Sequence, residues 1–123
     1  MIETTNKNML IDTVILLPEV IDCYLQAPSL DNIRISNLMQ DSKFDYFKLF
    51  TLNSETKKIL IDEIKSCRVD RYFSRIELRE NDKLLFEGFD GCEYGNISNA
   101  IKLPSWFIEE YISNGTCRIS GDW

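Results

Sequence analysis

Seven acidic side chains in the C-terminal part of the chain, Glu80, Asp82, Glu87, Asp90, Glu93, Glu109 and Glu110, are the residues with the clearest chemical meaning. Carboxylates can bind a metal, exchange protons or attract a basic partner, and their neighbours decide which. Residues 80–123 hold eight acidic side chains against Lys83, Lys102 and Arg118, so this segment carries five of the six net negative charges. Asp90 and Glu93 lie in a glycine-rich run, GFDGCEYG, at 88–95. Calcium needs several oxygens converging at regular spacing, and two acids three apart are too few. A phosphate cradle needs donors and positive charge where this run places acids. A glycosidase-type pair needs two carboxylates facing each other, which spacing alone does not decide.

Histidine is absent, which removes Ser-His and Cys-His nucleophilic pairs, histidine metal centres and histidine general bases. Cys23, Cys67, Cys92 and Cys117 are spaced 44, 25 and 25 residues apart, with no Cys-x-x-Cys pair. They read as unpaired thiols of a reducing compartment, with a disulfide pair the alternative because four is an even number. Cys92 lies in the glycine-rich run with no basic neighbour to lower its pKa, so it reads as structural. The expectation is a protein with no enzymatic activity, no cofactor and no metal. A pI near 4.6 argues against nucleic acid as a partner and fits steering toward a basic protein.

The start of the chain, MIETTNKNMLIDTVILLPEV, carries Glu3 in place of a basic cluster, and Asp12 and Pro18 interrupt its apolar run. It does not read as a signal peptide. No apolar run approaches the ~20 residues of a membrane helix. A cytoplasmic protein without membrane contact is expected; the oligomeric state stays open.

These residues must be positioned by a single domain, 1–123, of 44% apolar composition. Thr4 to Asn8 is polar and reads as frayed. Met9 to Leu17 fits either a helix or a buried strand. Pro18 opens a second helix, with Val20, Ile21, Tyr24 and Leu25 on one face and Pro28 beyond its end. Ile33 and Ile35 alternate with polar residues as in a short strand. Asp41-Ser42 is a turn before an aromatic strand, Lys43 to Leu52. Ser54 caps the clearest helix, whose apolar face is Leu60, Ile61, Ile64 and Cys67. Tyr72 to Arg79 and Leu84 to Phe89 flank a short polar connection and predict a hairpin. Gly88, Gly91 and Gly95 predict a loop up to Asn96. Pro104 opens a helix with Phe107, Ile108, Tyr111 and Ile112 inward and Trp106 beside them, closed by Asn114-Gly115. Thr116 to Ser120 is a last strand. The expected fold is α+β: a mainly antiparallel sheet of about five strands with two or three helices packed on it.

The runs LLFEGFDGCEYGNIS (84–98), LPSWFIEEYI (103–112) and CRISGDW (117–123) resemble small bacterial immunity proteins. These are antidotes made beside polymorphic toxins, including those of contact-dependent growth inhibition. The resemblance covers about the last 45 residues and is one of layout. It implies a protein that binds a cognate toxin domain, in many cases a nuclease with a basic channel, and blocks it. An acidic inhibitor would then gain association rate from electrostatic steering. No binding residues carry over, so the seven acids named above are expected as partner contacts on charge and exposure alone. The alternative is an acidic interaction or homo-oligomeric module, self-associating through the aromatic run Phe44 to Phe50. Trp106 reads as a core or helix anchor, and Trp123 as either core or interface.

Overall fold

Ile21, Cys23 and Leu25 alternate into the core from β1 (Ile21–Gln26), an interior strand of a seven-stranded sheet. The computed structural model describes residues 4–121. Trp123 and Asp122 therefore lie outside the described residues. The elements in chain order are α1 (Met9–Leu16), β1, α2 (Ile33–Ser36), β2 (Gln40–Asp41), β3 (Lys48–Leu52), α3 (Ser54–Cys67), β4 (Arg75–Glu80), β5 (Lys83–Phe89), β6 (Tyr94–Ser98), α4 (Ser105–Phe107) and β7 (Cys117–Ser120). A short 3₁₀ turn covers Val69–Tyr72, and a π-helical turn, Ile108–Ile112, continues α4. Among the described residues no helix is long and apolar enough to cross a membrane.

The sheet order is β2-β3-β1-β4-β5-β6-β7, antiparallel throughout except for the parallel pair β6–β7. A parallel pair needs a crossover, and α4 with its π turn supplies it. Among the described residues the α+β class holds, but with seven strands rather than about five, and with four helices.

Several segments differ from the sequence reading. The stretch after Pro18 is β1, not a helix. Tyr24, on the face opposite Ile21, Cys23 and Leu25, is itself buried beneath Phe44, with ring centroids 5.0 Å apart. Burial on both faces erases the strand alternation and leaves Ile21, Tyr24 and Leu25 at a helix-like spacing. Ile33 and Ile35 belong to the helical turn α2, not a strand. Asn32 caps that turn, accepting from the Ile35 N–H at 3.0 Å; Ile35 is buried while Ile33 stays 73% exposed. Residues 94–98 form β6, so 94–96 are strand rather than loop. Gly88 and Gly95 pair directly across β5 and β6. A Cβ on Gly95 would stand 2.4 Å from the Glu87 carbonyl oxygen, so this glycine serves close strand approach rather than a turn. Gly91 alone of the three occupies the left-handed region, at φ +73°.

Met9 to Leu17 resolves as α1 followed by one extended residue. The aromatic run is strand only from Lys48 onward, and residues 42–47 form the loop between β2 and β3. α3 is capped by Asn53, one residue before Ser54, in a reciprocal capping box with Thr56. Tyr72 closes the 3₁₀ turn, so β4 begins three residues later than expected. The hairpin turn is Asn81-Asp82, both left-handed at φ +50° and +68°, the pair of angles that two-residue hairpin loops demand. Residues 5 and 6 are not frayed: Thr5 and Asn6 bond to Asp12.

One apolar cluster fills the helical side of the sheet. Leu10 and Val14 of α1, Leu60 and Ile64 of α3, and Phe107 meet Leu25, Leu52, Ile76, Leu78, Phe86 and Ile97 of the strands. Trp106 is half-buried against this cluster, as its anchoring role requires. Ile108, expected inward, is exposed, because the π turn rotates it off the inner face.

Candidate interaction surface

The seven acids do not converge. Glu80 and Asp82 sit at the β4–β5 hairpin end. Asp90 and Glu93 sit at the opposite end of β5, in the turn to β6; seven residues of strand put ~20 Å between these ends. Lys43 Nζ holds Asp82 at 2.5 Å, and that bond lowers the carboxyl below its ordinary pKa. Asp90 accepts a bond from the Tyr94 hydroxyl at 3.1 Å, which raises the phenol's pKa. Glu93 and Glu109 are exposed and Glu110 is half-exposed, the last two on the crossover turn. The end of the sheet that carries Asp90 and Glu93 is also where β7 begins: the Gly95 N–H donates to the Thr116 carbonyl at 3.0 Å.

Glu87 differs from the other six. Strand pairing sets it directly opposite Glu77 on the sheet face away from the helices. Arg75 Nη2 bridges both, 3.1 Å from Glu77 and 3.6 Å from Glu87, and Asn96 donates to Glu87 at 2.9 Å. Arg79 adds two bonds to Glu77, at 3.0 and 2.8 Å. Aromatic rings roof this network. Arg75 lies 5.2 Å from the Phe89 ring centre and 5.9 Å from Phe47, Phe89 stacks on Tyr94 at 5.4 Å, and Arg79 lies 5.3 Å from Phe44. The second face of the sheet is thus charge-balanced and partly covered by the 42–47 loop. The alternation of Arg75, Glu77 and Arg79 along β4 was the available signal for it.

The buried acids tie elements together. Asp12 accepts from Thr5 Oγ1 at 2.6 Å, from Asn6 Nδ2 at 2.7 Å and from the Tyr111 hydroxyl at 2.5 Å, which fastens α1 to both the N-terminal segment and the crossover. Burial first, and then the Asp12 bond, push the Tyr111 phenol well above its ordinary pKa. Glu63 of α3 accepts from Asn32 at 2.8 Å and Arg34 at 2.6 Å, which pins α2. Asp70 accepts from Arg68 twice at 3.0 Å and from Asn8 at 3.1 Å. Bonds of this kind hold a buried carboxylate in place.

All four cysteines are free thiols. Burial raises the pKa of Cys23 and Cys92 well above the ordinary value and pushes Cys117 up to about 12; Cys67 alone is exposed. Among the described residues, no group of three or more Cys, Asp or Glu side chains is placed to hold a metal ion.

The 42–47 loop presents one residue that charge reasoning passed over. Phe44 and Phe47 turn onto the sheet, while Tyr46 between them points out, 87% exposed and left-handed at φ +71°. The aromatic run expected to drive self-association is therefore engaged inside the chain, apart from this tyrosine. Comparison of the chain with protein-family models, with curated proteins and with solved structures finds no match.

Proposed function

We propose that the chain is a cytoplasmic, non-enzymatic immunity protein that binds a cognate basic toxin domain, in the first instance a nuclease, and blocks it through an acidic surface. The observation that carries this reading is how the acids divide. Asp12, Glu63, Asp70, Glu77 and Glu87 are engaged with donors inside the fold. Among the described residues, Glu93 and Glu109 are exposed without a basic partner, and Asp90 near Glu93 keeps only a phenol. The net negative charge thus stands at the surface, where it can steer a basic protein.

The contacts this reading favours are Asp90 and Glu93 in the β5–β6 turn and Glu109 and Glu110 on the crossover turn, all within the segment whose layout resembles immunity proteins. Glu80 and the Lys43-bound Asp82 are weaker candidates. The test is co-expression with the polypeptide encoded immediately beside this chain. Cells are expected to survive only when both are made, with a stoichiometric complex on purification. Reversing these four acids to Lys should weaken that complex about 10²-fold and flatten its salt dependence. Unchanged binding after reversal would sink the electrostatic part.

One observation favours the second reading, a homo-oligomeric module. β7 is an edge strand with Ile119 half-exposed, and an open edge can pair with another copy. A concentration-dependent dimer abolished by proline at Ile119 would support that reading.

A further inference from the structure

Lys7, Lys65 and Arg68 line one small groove between the segment that precedes α1 and the C-terminal end of α3. The chain has a net charge of −6, yet these cations meet here with no carboxylate in the lining. Lys7 and Lys65 are exposed, and among the described residues neither is paired with an acid. Lys65 and Arg68 complement the negative end of the α3 dipole. That explains one wall only, because Lys7 stands on the other and belongs to no helix.

Both walls are fixed by bonds within the chain. The Lys7 N–H donates to Thr5 Oγ1 at 2.8 Å, and Asn6 is tied to Asp12 through its N–H at 3.0 Å and its side chain at 2.7 Å. Asn8 caps α1 by accepting from the Ile11 N–H at 3.0 Å. Asp70 joins the walls to each other. It accepts from Asn8 at 3.1 Å and from Arg68 Nε and Nη2 at 3.0 Å each. Two of the five guanidinium N–H groups are used in this way, and the rest have no partner among the described residues. Asp12 and Asp70 stand behind the lining, buried and bonded. The free donors of the groove are therefore cationic and held in place.

The groove encloses about 220 Å³ over a floor of buried Ile11 and Ile64. Pockets that take a whole small molecule run to roughly 300–1,000 Å³. This one fits a single charged group, with the remainder of its carrier in solvent.

We propose that the groove binds the phosphate group of a small molecule. A phosphate monoester carries about −1.5 to −2 charge at neutral pH and three strong acceptor oxygens, so it can meet Lys7, Lys65 and Arg68 together. A planar carboxylate offers two oxygens and leaves one of the cations unmatched. The Arg68 fork suits phosphate geometry, and its bonds to Asp70 set its orientation in advance. The site stands apart from toxin binding: none of the seven C-terminal acids lines it, and it needs no toxin.

The experiment titrates the isotope-labelled full chain by two-dimensional NMR at neutral pH and constant ionic strength. The probes are inorganic phosphate, glycerol phosphate as a monoester, and acetate. Phosphate should give saturable shifts centred on the amides of Lys7, Asn8, Lys65 and Arg68, and acetate should bind at least ~10-fold more weakly. Lys7→Gln and Lys65→Gln should each weaken phosphate about 10-fold, and Lys7→Arg should recover most of the loss. Both lysines are exposed, so without phosphate the variants should melt with the parent. Lys83→Gln removes an exposed lysine outside the groove and should change nothing. Saturation by the monoester as well as by the free ion supports a phosphorylated molecule as the source; saturation by the ion alone supports inorganic phosphate. Shifts that grow linearly, centre elsewhere or appear equally with acetate would overturn the proposal. So would an equal loss in Lys83→Gln, which would reduce the effect to overall charge.

Discussion

Glu77 and Glu87 face each other directly across β4 and β5, and Arg75 binds both. A buried carboxylate and a half-buried one in register repel one another, and like charges directly opposite destabilise a sheet. The pairing is tolerable only with the guanidinium between them. Arg75→Met keeps an unbranched side chain beside Phe47 and Phe89 and removes the guanidinium that lies over their rings. It should cost about 2–3 kcal/mol, near the lower end for breaking a buried ion pair, because Arg75 is partly exposed. Adding Glu87→Gln should return roughly half of that loss. Urea denaturation of the single and double variants measures both terms. Equal stability of parent and Arg75→Met would show that Arg79 alone suffices.

The close approach at Gly95 has a stated geometry. A Cβ there would stand 2.4 Å from a main-chain oxygen that no rotamer change can move. Gly95→Ala should therefore destabilise by about 3 kcal/mol, the upper end of the usual overpacking range. Gly115→Ala is the control: it has open space around it and only a φ of +81° to violate, for a cost of about 1 kcal/mol. Denaturation midpoints for the two variants should differ in that order, and a reversed order would refute the steric account.

That glycine also marks the limit of what the sequence could tell. α3, the β4–β5 hairpin and β7 were legible because each is buried on one side, so periodicity survives in residues such as Leu60, Ile64, Ile76 and Leu78. β1 was not, because Phe44, far along the chain, buries Tyr24 on the second face. β6 was not, because glycine signals a turn and a tight strand crossing alike. The acidic excess of the C-terminal segment was legible as charge. Which acids are consumed internally was not: Glu87 looks like Glu93 in the sequence, and only strand register sets it against Arg75 and Asn96. Tyr46 was hidden within an aromatic run whose other members, Phe44, Phe47 and Phe50, turn inward.

The thiols separate sharply by exposure. Cys23, Cys92 and Cys117 are buried with raised pKa values, and Cys67 is exposed at the end of α3. A thiolate, not a thiol, attacks a disulfide reagent. Native protein at neutral pH should therefore release one equivalent of chromophore quickly with a disulfide reagent, and Cys67→Ser should abolish that phase. Denatured protein should release all four. A second fast equivalent in the native state would mean that the β5–β6 turn around Cys92 opens readily.

Stability at acid pH should depend on Glu63. The bond from Asn32, then those from Arg34, hold its folded-state pKa below the ordinary value, which in an unfolded chain is about 4.3. A depressed carboxyl contributes its stabilisation in full above the unfolded pKa and loses it as pH falls through the folded one. Asp41 and Asp82 shift the same way, through Lys48 and Lys43. Both are exposed at the surface, so salt screens their share. The melting temperature should therefore begin to fall below about pH 4.5. Glu63→Gln should be less stable than the parent at neutral pH, because it cannot pair with Arg34, yet decline less on acidification, so that the two curves converge once the pH has fallen through the folded-state pKa of Glu63. Melting curves collected in high salt isolate this partly buried contribution from the surface pairs. Parallel curves for parent and variant would assign the acid sensitivity to another carboxylate.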